Sequence, residues 1–349
     1  MSFVKRGMLV SLAEYIGLMV GVAQAMLVSR ALGPDGMGQF SLLRQTSLLA
    51  AQIASFGLPT YVIHAVNRQR RDPSVVVMTT LWALGGASLV SIAALLTAFA
   101  AGGGFFGETP PLTVVACLLY IPLSLFREAF NQVNIARMRA GCMAAVQLVP
   151  TVTVVAAIAA LFALGRLDVT TAVALLLLAY PAIGLAAAVV TTRRDVRPLV
   201  RPDWRFLGEA TVFGLQASAS LFLFTLNGFA SAAILKTFAG EFAELGYFSR
   251  GERIATLVVT ASGAFLTLLY ARWAGLTGRA QREHVQHTVN LVLPVSIVLC
   301  GVLTALARPM VLVLFGREFL PAVPVARILL VGITGLLVAK VLLNLFVSV

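Results

Sequence analysis

Charge is what this chain has least of. Only 11% of its 349 residues are Asp, Glu, Lys or Arg, against 59% apolar, and the mean hydropathy is +0.94. A soluble globular chain carries about 25% charged residues, because its surface needs them. A chain this poor in charge cannot cover a water-facing surface. A cytosolic enzyme, a secreted disulfide scaffold and a disordered tail are all excluded. Acids are the scarcer sign, 14 against 26 Lys and Arg. In a soluble chain that excess would point to nucleic acid. Here the basic residues fall mostly in short segments between apolar runs, the pattern of topology signals, so no nucleic-acid partner is expected. Cysteine is equally scarce. Cys117, Cys142 and Cys300 lie inside apolar runs, and an odd number in lipid argues against a disulfide framework. His64, His284 and His287 sit at run ends without metal-ligand spacing. No Walker pattern, HExxH or catalytic triad occurs, so neither a cofactor, a metal nor an enzymatic activity is expected.

What the chain has is long apolar runs. A bilayer-spanning helix needs about 20 mostly apolar residues. Ten runs qualify, near 8–28, 39–63, 75–101, 110–130, 142–164, 169–191, 210–235, 247–270, 286–307 and 322–347. They are continuous rather than alternating with period two, which excludes a β-barrel. The first follows Lys5 and Arg6, contains Glu14 and lacks a small-x-small cleavage site, so it reads as a retained helix rather than a signal peptide.

With the N-terminus inside, 16 Lys and Arg fall in inner segments and 5 in outer loops, the bias expected of an inner-membrane protein with a cytoplasmic N-terminus. The longest loop, about 192–209, is a basic connector whose Pro198 and Pro202 suit a non-helical linker.

The sequence repeats on either side of that connector. Gly38-Gln39-Phe40-Ser41 opens the second run and Gly246-Tyr247-Phe248-Ser249 the eighth, at an offset of 208. Phe106-Gly107-Glu108 leads into the fourth through Pro110 and Pro111. Phe315-Gly316-Arg317 leads into the tenth through Pro321 and Pro324, at an offset of 209. Six spans per unit is an even number, so the units share one orientation, the parallel arrangement that lets two bundles rock about a central site. The expected fold is an all-α membrane protein of about ten helices in two parallel six-helix repeats, the second incomplete. Residues 1–205 form the first bundle and 206–349 the second, with four helices present. The repeat would place two further helices about 50 residues beyond Val349, and the terminal VLLNLFVSV carries no basic anchor. The chain is therefore expected to be C-terminally truncated.

Charge inside the spans marks candidate sites, because a bilayer-centre Arg costs about 2.5–3.5 kcal/mol on insertion scales. Arg44 lies on the second span; Arg250 and Arg253, three residues apart on one helix face, lie on the eighth. These spans are repeat equivalents, so their arginines are expected to build a cationic cavity suited to phosphate, whose oxygens the guanidinium fork binds in pairs. Arg44, five residues into its run, also has the option of snorkelling outward. Glu14 is the clearest buried acid of the first half; with Glu252 it is the candidate for charge balance or ion coupling. Arg127 and Glu128 read as a solvated helix end, and Gln45 and Asn227 as helix-to-helix hydrogen-bonding residues.

These stretches also carry a family resemblance. SRALGPDGMGQFSLL (29–43) resembles the first outer loop and second helix of the polysaccharide-type flippases of the multidrug/oligosaccharidyl-lipid/polysaccharide exporter superfamily. GYFSRGERIATLVVTASGAFLTLLYARWA (246–274) is similar to their eighth helix, and LFGREFLPAVPVARILL (314–330) to the start of their tenth. The eighth helix departs from the family in lacking a proline near Tyr270-Ala271-Arg272-Trp273, and ten spans are fewer than the usual twelve or fourteen. The resemblance implies a transporter that flips a polyprenyl-(pyro)phosphate-linked oligosaccharide to the outer leaflet by alternating access. It implies membrane lipid and the pathway's glycosyltransferases or polymerase as partners. A cation or drug antiporter of the same superfamily, or a non-transporting membrane subunit, are the alternatives. An antiporter for cations would place carboxylates in its cavity rather than guanidiniums.

Overall fold

The computed structural model describes residues 3–101, 103–107, 109–197, 201–273, 278–333 and 335; side chains are described for these except at 3–14, 103, 258–289 and 291–292. Every regular element among the described residues is helical. They are α1 (Phe3–Ser55), α2 (Leu58–Asn67), α3 (Pro73–Ala101), α4 (Pro111–Ala136), α5 (Ala140–Ala163), α6 (Val169–Val173), α7 (Tyr180–Thr192), α8 (Leu207–Ala239), α9 (Phe242–Trp273), α10 (Gly278–Leu314) and α11 (Ala322–Ile333). Among the described residues, seven helices are long and apolar enough to cross a membrane. The chain is an all-α, multi-pass membrane protein.

The ten apolar runs and the seven long helices are reconciled at α1, α9 and α11. A straight helix of 53 residues would measure about 80 Å, far more than a bilayer. Gly33 breaks it, with φ 64° and ψ −177° just before Pro34. Ser29 Oγ lies 4.0 Å from Met37 Sδ, whereas eight residues along a straight helix are about 12 Å apart. The chain therefore doubles back at Gly33, and α1 is two spans. The second of these breaks again at Phe56 (φ 43°) and Gly57 (φ 68°) and resumes as α2. α9 has the length, 32 residues, and opens with a charged stretch. α11 contributes the described part of the tenth run; the rest of that run, including the terminal VLLNLFVSV, lies outside the described residues.

Packing divides the chain into two units, Met1–Leu245 and Gly246–Val349. α8 thus clusters with the helices before it, 40 residues past the point where the repeat divides the sequence. Glycine explains how α8 fits. A Cβ on Gly57 would meet the Gly214 carbonyl oxygen at 2.0 Å, so the α1–α2 break and α8 touch backbone to backbone. Tyr61 of α2 stacks on Phe206 and meets Phe213 of α8 edge-on, at ring centroid distances of 5.9 and 5.7 Å. Leu42, Leu43, Leu84, Ile121, Ile158 and Leu177 fill the interior of this unit.

The first unit has two distinct ends. At one, Gly36 faces Val169, and Gln39 Nε2 donates to the Phe106 carbonyl at 3.2 Å. At the other, the basic connector is tied down. Arg139 donates two hydrogen bonds to Asp195 at 2.5 and 3.0 Å. Ser74 Oγ donates to the Asp195 carbonyl and accepts from Arg197 N–H. Arg71 pairs with Asp203 at 3.8 Å.

The repeated sequence stretches return as repeated backbone turns. Gly33 (φ 64°) in the first repeat matches Gly240 (φ 74°) in the second at an offset of 207; Gly107 (φ 72°) matches Gly316 (φ 100°) at 209. All four are left-handed conformations that favour glycine. A 3₁₀ turn lies against each of the latter pair, Gly103–Phe106 and Arg317–Phe319, before the prolines that start α4 and precede α11.

Candidate functional site

Arg44 owes its depth to the Gly33 turn. The apolar run suggests a span starting at 39, but the helix begins directly after Gly33, so Arg44 lies 11 residues in. That is about 16 Å along the axis from the turn. Its neighbours Leu42, Leu43, Thr46 and Ser47 are buried, while Arg44 itself is exposed from the protein interior.

A second arginine of the first unit, Arg127, lies on α4. Tyr120, Ser124 and Arg127 fall at i, i+4 and i+7 on one face of α4. The guanidinium of Arg127 lies over the Tyr180 ring, 5.3 Å from its centroid. Two local features permit this. Gly184 leaves room for the Arg127 stem, since a Cβ there would stand 2.6 Å from Arg127 Cδ. A π-helical segment, Ala174–Ala179, ends at Tyr180, whose N–H donates five residues back to the Leu175 carbonyl, ahead of Pro181. Single π-turns inside α-helices recur at functional sites.

α4 runs on past 130 to Ala136, nine residues or about 14 Å beyond Arg127. At 26 residues, about 39 Å, it is longer than the ~30 Å hydrocarbon layer. Gln132 Nε2 donates a hydrogen bond to the Glu128 carboxylate one turn back on α4. Among the described residues no carboxylate pairs with Arg44 or Arg127. The signal for this cluster was present as a polar stripe at helical spacing through Tyr120, Ser124, Arg127 and Asn131; it was hidden by ending the span at 130.

In the second unit, Arg250 is buried, 8% exposed, and its guanidinium lies over Phe315, 5.4 Å from the ring centroid. Arg253 and Glu252 are half-buried on α9, and all three side chains have partners. Gly251 packs against Val325 and Ala326 of α11, with 2.8 Å from an ideal Cβ to the nearest Val325 carbon. Arg44 and the α9 pair thus belong to different units. The side chain of Glu14 lies outside the described residues, though its backbone is part of α1. Gln45 sits against Gly228 of α8, 3.3 Å from an ideal Cβ there, which is a helix-packing contact. Among the described residues no three His, Cys, Asp or Glu side chains gather as a metal site.

Comparison with known proteins follows the same lines. Residues 3–270 match the family described as polysaccharide biosynthesis protein. No curated protein sequence matches significantly. The fold is similar to a multidrug resistance MATE family transporter of the MOP superfamily in an inward-facing conformation. The TM-score is 0.66 at 12% identity, over 98% of this chain and 87% of that one. It is also similar to the MATE multidrug transporter DinF-BH, solved in complex with R6G. There the TM-score is 0.57 at 17% identity, over 88% of this chain and 73% of that one.

Proposed function

Because the chain belongs to the polysaccharide biosynthesis protein family, we propose that it flips a polyprenyl-(pyro)phosphate-linked oligosaccharide across the cell membrane by alternating access. What supports this reading is Arg44, a guanidinium within an apolar span that pairs with no carboxylate among the described residues. A charge within a span is costly, and an anionic substrate offsets the cost while bound. The phosphate linkage of a lipid-linked sugar is such an anion. Arg253, half-buried on α9, is the second unit's candidate for phosphate binding, while Arg250 is buried against Phe315. The sugar crosses through the protein and the prenyl tail stays in lipid. Glu14 or Glu252 balances charge or couples an ion.

The connector end of the first unit faces the cytoplasm in this reading, with the N-terminus on the same side. Arg68, Arg70, Arg71, Arg137, Arg139, Arg193, Arg194, Arg197, Arg201 and Arg205 lie there, against Arg30, Arg166 and Lys236 at the Gly33 end. Substrate arrives from glycosyltransferases on the cytoplasmic face, and a polymerase takes it outside.

The second reading is export of organic cations, favoured by the multidrug transporters that share the fold. Charge argues against it, since a cation carrier needs carboxylates where this chain places guanidiniums. Proteoliposomes loaded with either a fluorescent lipid-linked oligosaccharide or rhodamine 6G decide. We expect the labelled sugar to change leaflet and the dye to stay put. Dye export without sugar translocation overturns the reading, and movement of neither points to a non-transporting subunit.

A further inference from the structure

The basic connector does more than join two bundles. We propose that its two described stretches, 193–197 and 201–206, form a strap that binds the phosphodiester headgroups of an anionic lipid leaflet. The ligand is the bulk membrane surface, whatever the protein transports. Three observations carry it.

The first is that the strap is fixed to the first unit. Ser74 Oγ accepts the Arg197 N–H at 3.0 Å and donates to the Asp195 carbonyl at 3.3 Å. Val196, between these two residues in sequence, is buried. Thr79 Oγ1, five residues further along α3, accepts the Asp203 N–H at 2.9 Å. Phe206 is buried under the Arg71 guanidinium, which lies 4.9 Å from its ring centroid, and stacks on Tyr61 of α2. Both stretches are thus tied to the start of α3, and their backbone is held before any lipid binds. A preset backbone lowers the ordering cost of binding.

The second is how the strap sorts its charge. Each of its two acids is paired with an arginine from outside the strap, Asp195 with Arg139 and Asp203 with Arg71. Its five arginines, Arg193, Arg194, Arg197, Arg201 and Arg205, are all exposed, and none forms an ion pair among the described residues. Asp72 and Glu209, exposed acids of the same end, are outnumbered by the exposed Arg68, Arg70 and Arg137. The strap therefore offers a set of uncompensated cations, which an anionic surface attracts within a Debye length.

The third is an aromatic anchor among those cations. The 3₁₀ turn Trp204–Phe206 divides its two aromatic residues: Phe206 is buried, and Trp204 is 52% exposed. An exposed indole between Arg201 and Arg205 suits the headgroup layer, where its body meets apolar groups and its N–H meets water. Other apolar surface is close. Met138, next to the Asp195 partner Arg139, is exposed. Val212 of α8, eight residues or about 12 Å past Trp204, is exposed as well. A soluble polyanion would meet the arginines and leave these apolar groups in water; a leaflet takes both.

The test is lipid selectivity at Trp204 in the purified full-length chain, reconstituted in nanodiscs. Both faces of a nanodisc have one lipid composition, so sidedness does not enter. Trp82→Phe and Trp273→Phe leave Trp204 as the one indole of the chain. Its quenching by brominated phosphatidylglycerol is compared with quenching by brominated phosphatidylcholine at equal mole fraction. The anionic lipid should quench more strongly, and 1 M salt should weaken that preference. Arg201→Gln with Arg205→Gln should lower the preference about fivefold or more, since one arginine near a charged surface contributes about that factor. Lysine at both positions should retain it, because a leaflet attracts charge and does not require the guanidinium fork. Arg166→Gln, at the opposite end of the unit, should leave it as in the parent. Should the double Gln variant fail to insert, the salt dependence and Arg205→Gln alone carry the test. Equal quenching by the two lipids, a preference unchanged by the strap Gln variants, or one lost equally in Arg166→Gln, overturns the strap. A preference abolished by added polyglutamate at physiological salt gives the face to an acidic protein and overturns the strap as a lipid site.

Discussion

The two repeats begin their equivalent helices alike and then treat charge in opposite ways. After Gly38-Gln39-Phe40-Ser41 the first places Leu42, Leu43 and Arg44; after Gly246-Tyr247-Phe248-Ser249 the second places Arg250, Gly251 and Glu252. At the offset of 208, Arg250 corresponds to Leu42 and Glu252 to Arg44. Leu42 is fully buried, and Arg250 is nearly so, at 8% exposed. Each packs within its own unit near an equivalent turn. In the first unit Phe106 is buried and its carbonyl accepts from Gln39. In the second its counterpart Phe315 lies under the Arg250 guanidinium. A position that one repeat fills with apolar packing is filled in the other by a cation seated on an aromatic ring. Arg44 occupies a different, exposed face. The lesson is that two arginines on equivalent spans need not be equivalent: one is exposed, as the proposed ligand contact requires, and the other is buried on an aromatic ring.

The sharpest way to break this contrast is to give both positions the same side chain. Arg44→Leu removes the charge proposed to meet the ligand, and transport of the lipid-linked sugar should fall roughly 30-fold or more. Arg250→Leu installs what the first repeat already uses at that position and should retain most of the rate. Initial rates in proteoliposomes, normalised to inserted protein, check both. Parent-like transport in Arg44→Leu with collapse in Arg250→Leu would invert the assignment.

Stability should show the mirror image. Arg250→Ala loses a buried cation–π contact with Phe315 and leaves a void, at a cost of about 2 kcal/mol. Arg44→Ala makes no void in the interior and should stay within about 0.5 kcal/mol. Unfolding in mixed micelles reads both.

The shared turns offer a finer comparison. Gly107 and Gly316 have φ of 72° and 100°, so alanine at either is strained by roughly 1–2 kcal/mol. At Gly107 an added Cβ would also stand 3.0 Å from the Phe242 ring and 3.1 Å from Gln39 Nε2, whereas nothing lies within 4 Å at Gly316. Gly107→Ala should therefore lower the melting temperature more than Gly316→Ala. Equal shifts would mean that backbone strain alone accounts for both.

Much of this was legible in the sequence, and the reason is the bilayer. Apolar runs of fixed length mark helices whatever their neighbours, so the all-α membrane fold needed no tertiary information. The glycines of the repeated turns were legible too, because a reversal between two helices asks for a left-handed residue at Gly33 or Gly107. The site was less so. Apolar counting ended the fourth span at 130, yet the helix continues through Asn131, Gln132 and Asn134, whose polar atoms are satisfied in part by other helices, as in Asn134 to Thr191 at 2.9 Å. That hid the length of helix beyond Arg127. The π-segment before Tyr180 and the seat on Gly184 depend on contact between α4 and α7, which no spacing along one helix encodes.

The smallest expected effect concerns Asp168, which starts the short helix leading through the π-segment to Tyr180. Its carboxylate accepts the Thr171 N–H at 2.8 Å, and the Thr171 hydroxyl accepts the Asp168 N–H at 3.0 Å, a reciprocal cap. Burial alone would raise the Asp168 carboxyl, but the side-chain and backbone hydrogen bonds of Thr171 outweigh it and hold the group below its ordinary value. A folded-state value below the unfolded one makes the charged form stabilising. That contribution is fully present above the unfolded value of about 3.9 and is lost as pH falls through the lower folded value. Asp168→Ala should therefore cost at most about 1 kcal/mol at neutral pH. The gap between parent and variant should stay constant from pH 8 to pH 5 and close only below about pH 4. Asp168→Asn keeps an acceptor for the Thr171 N–H and should recover most of the loss without the acid dependence. Thermal melts of the three proteins across that range check the sign, and a gap that widens on acidification would show that the cap is not what the carboxylate supplies.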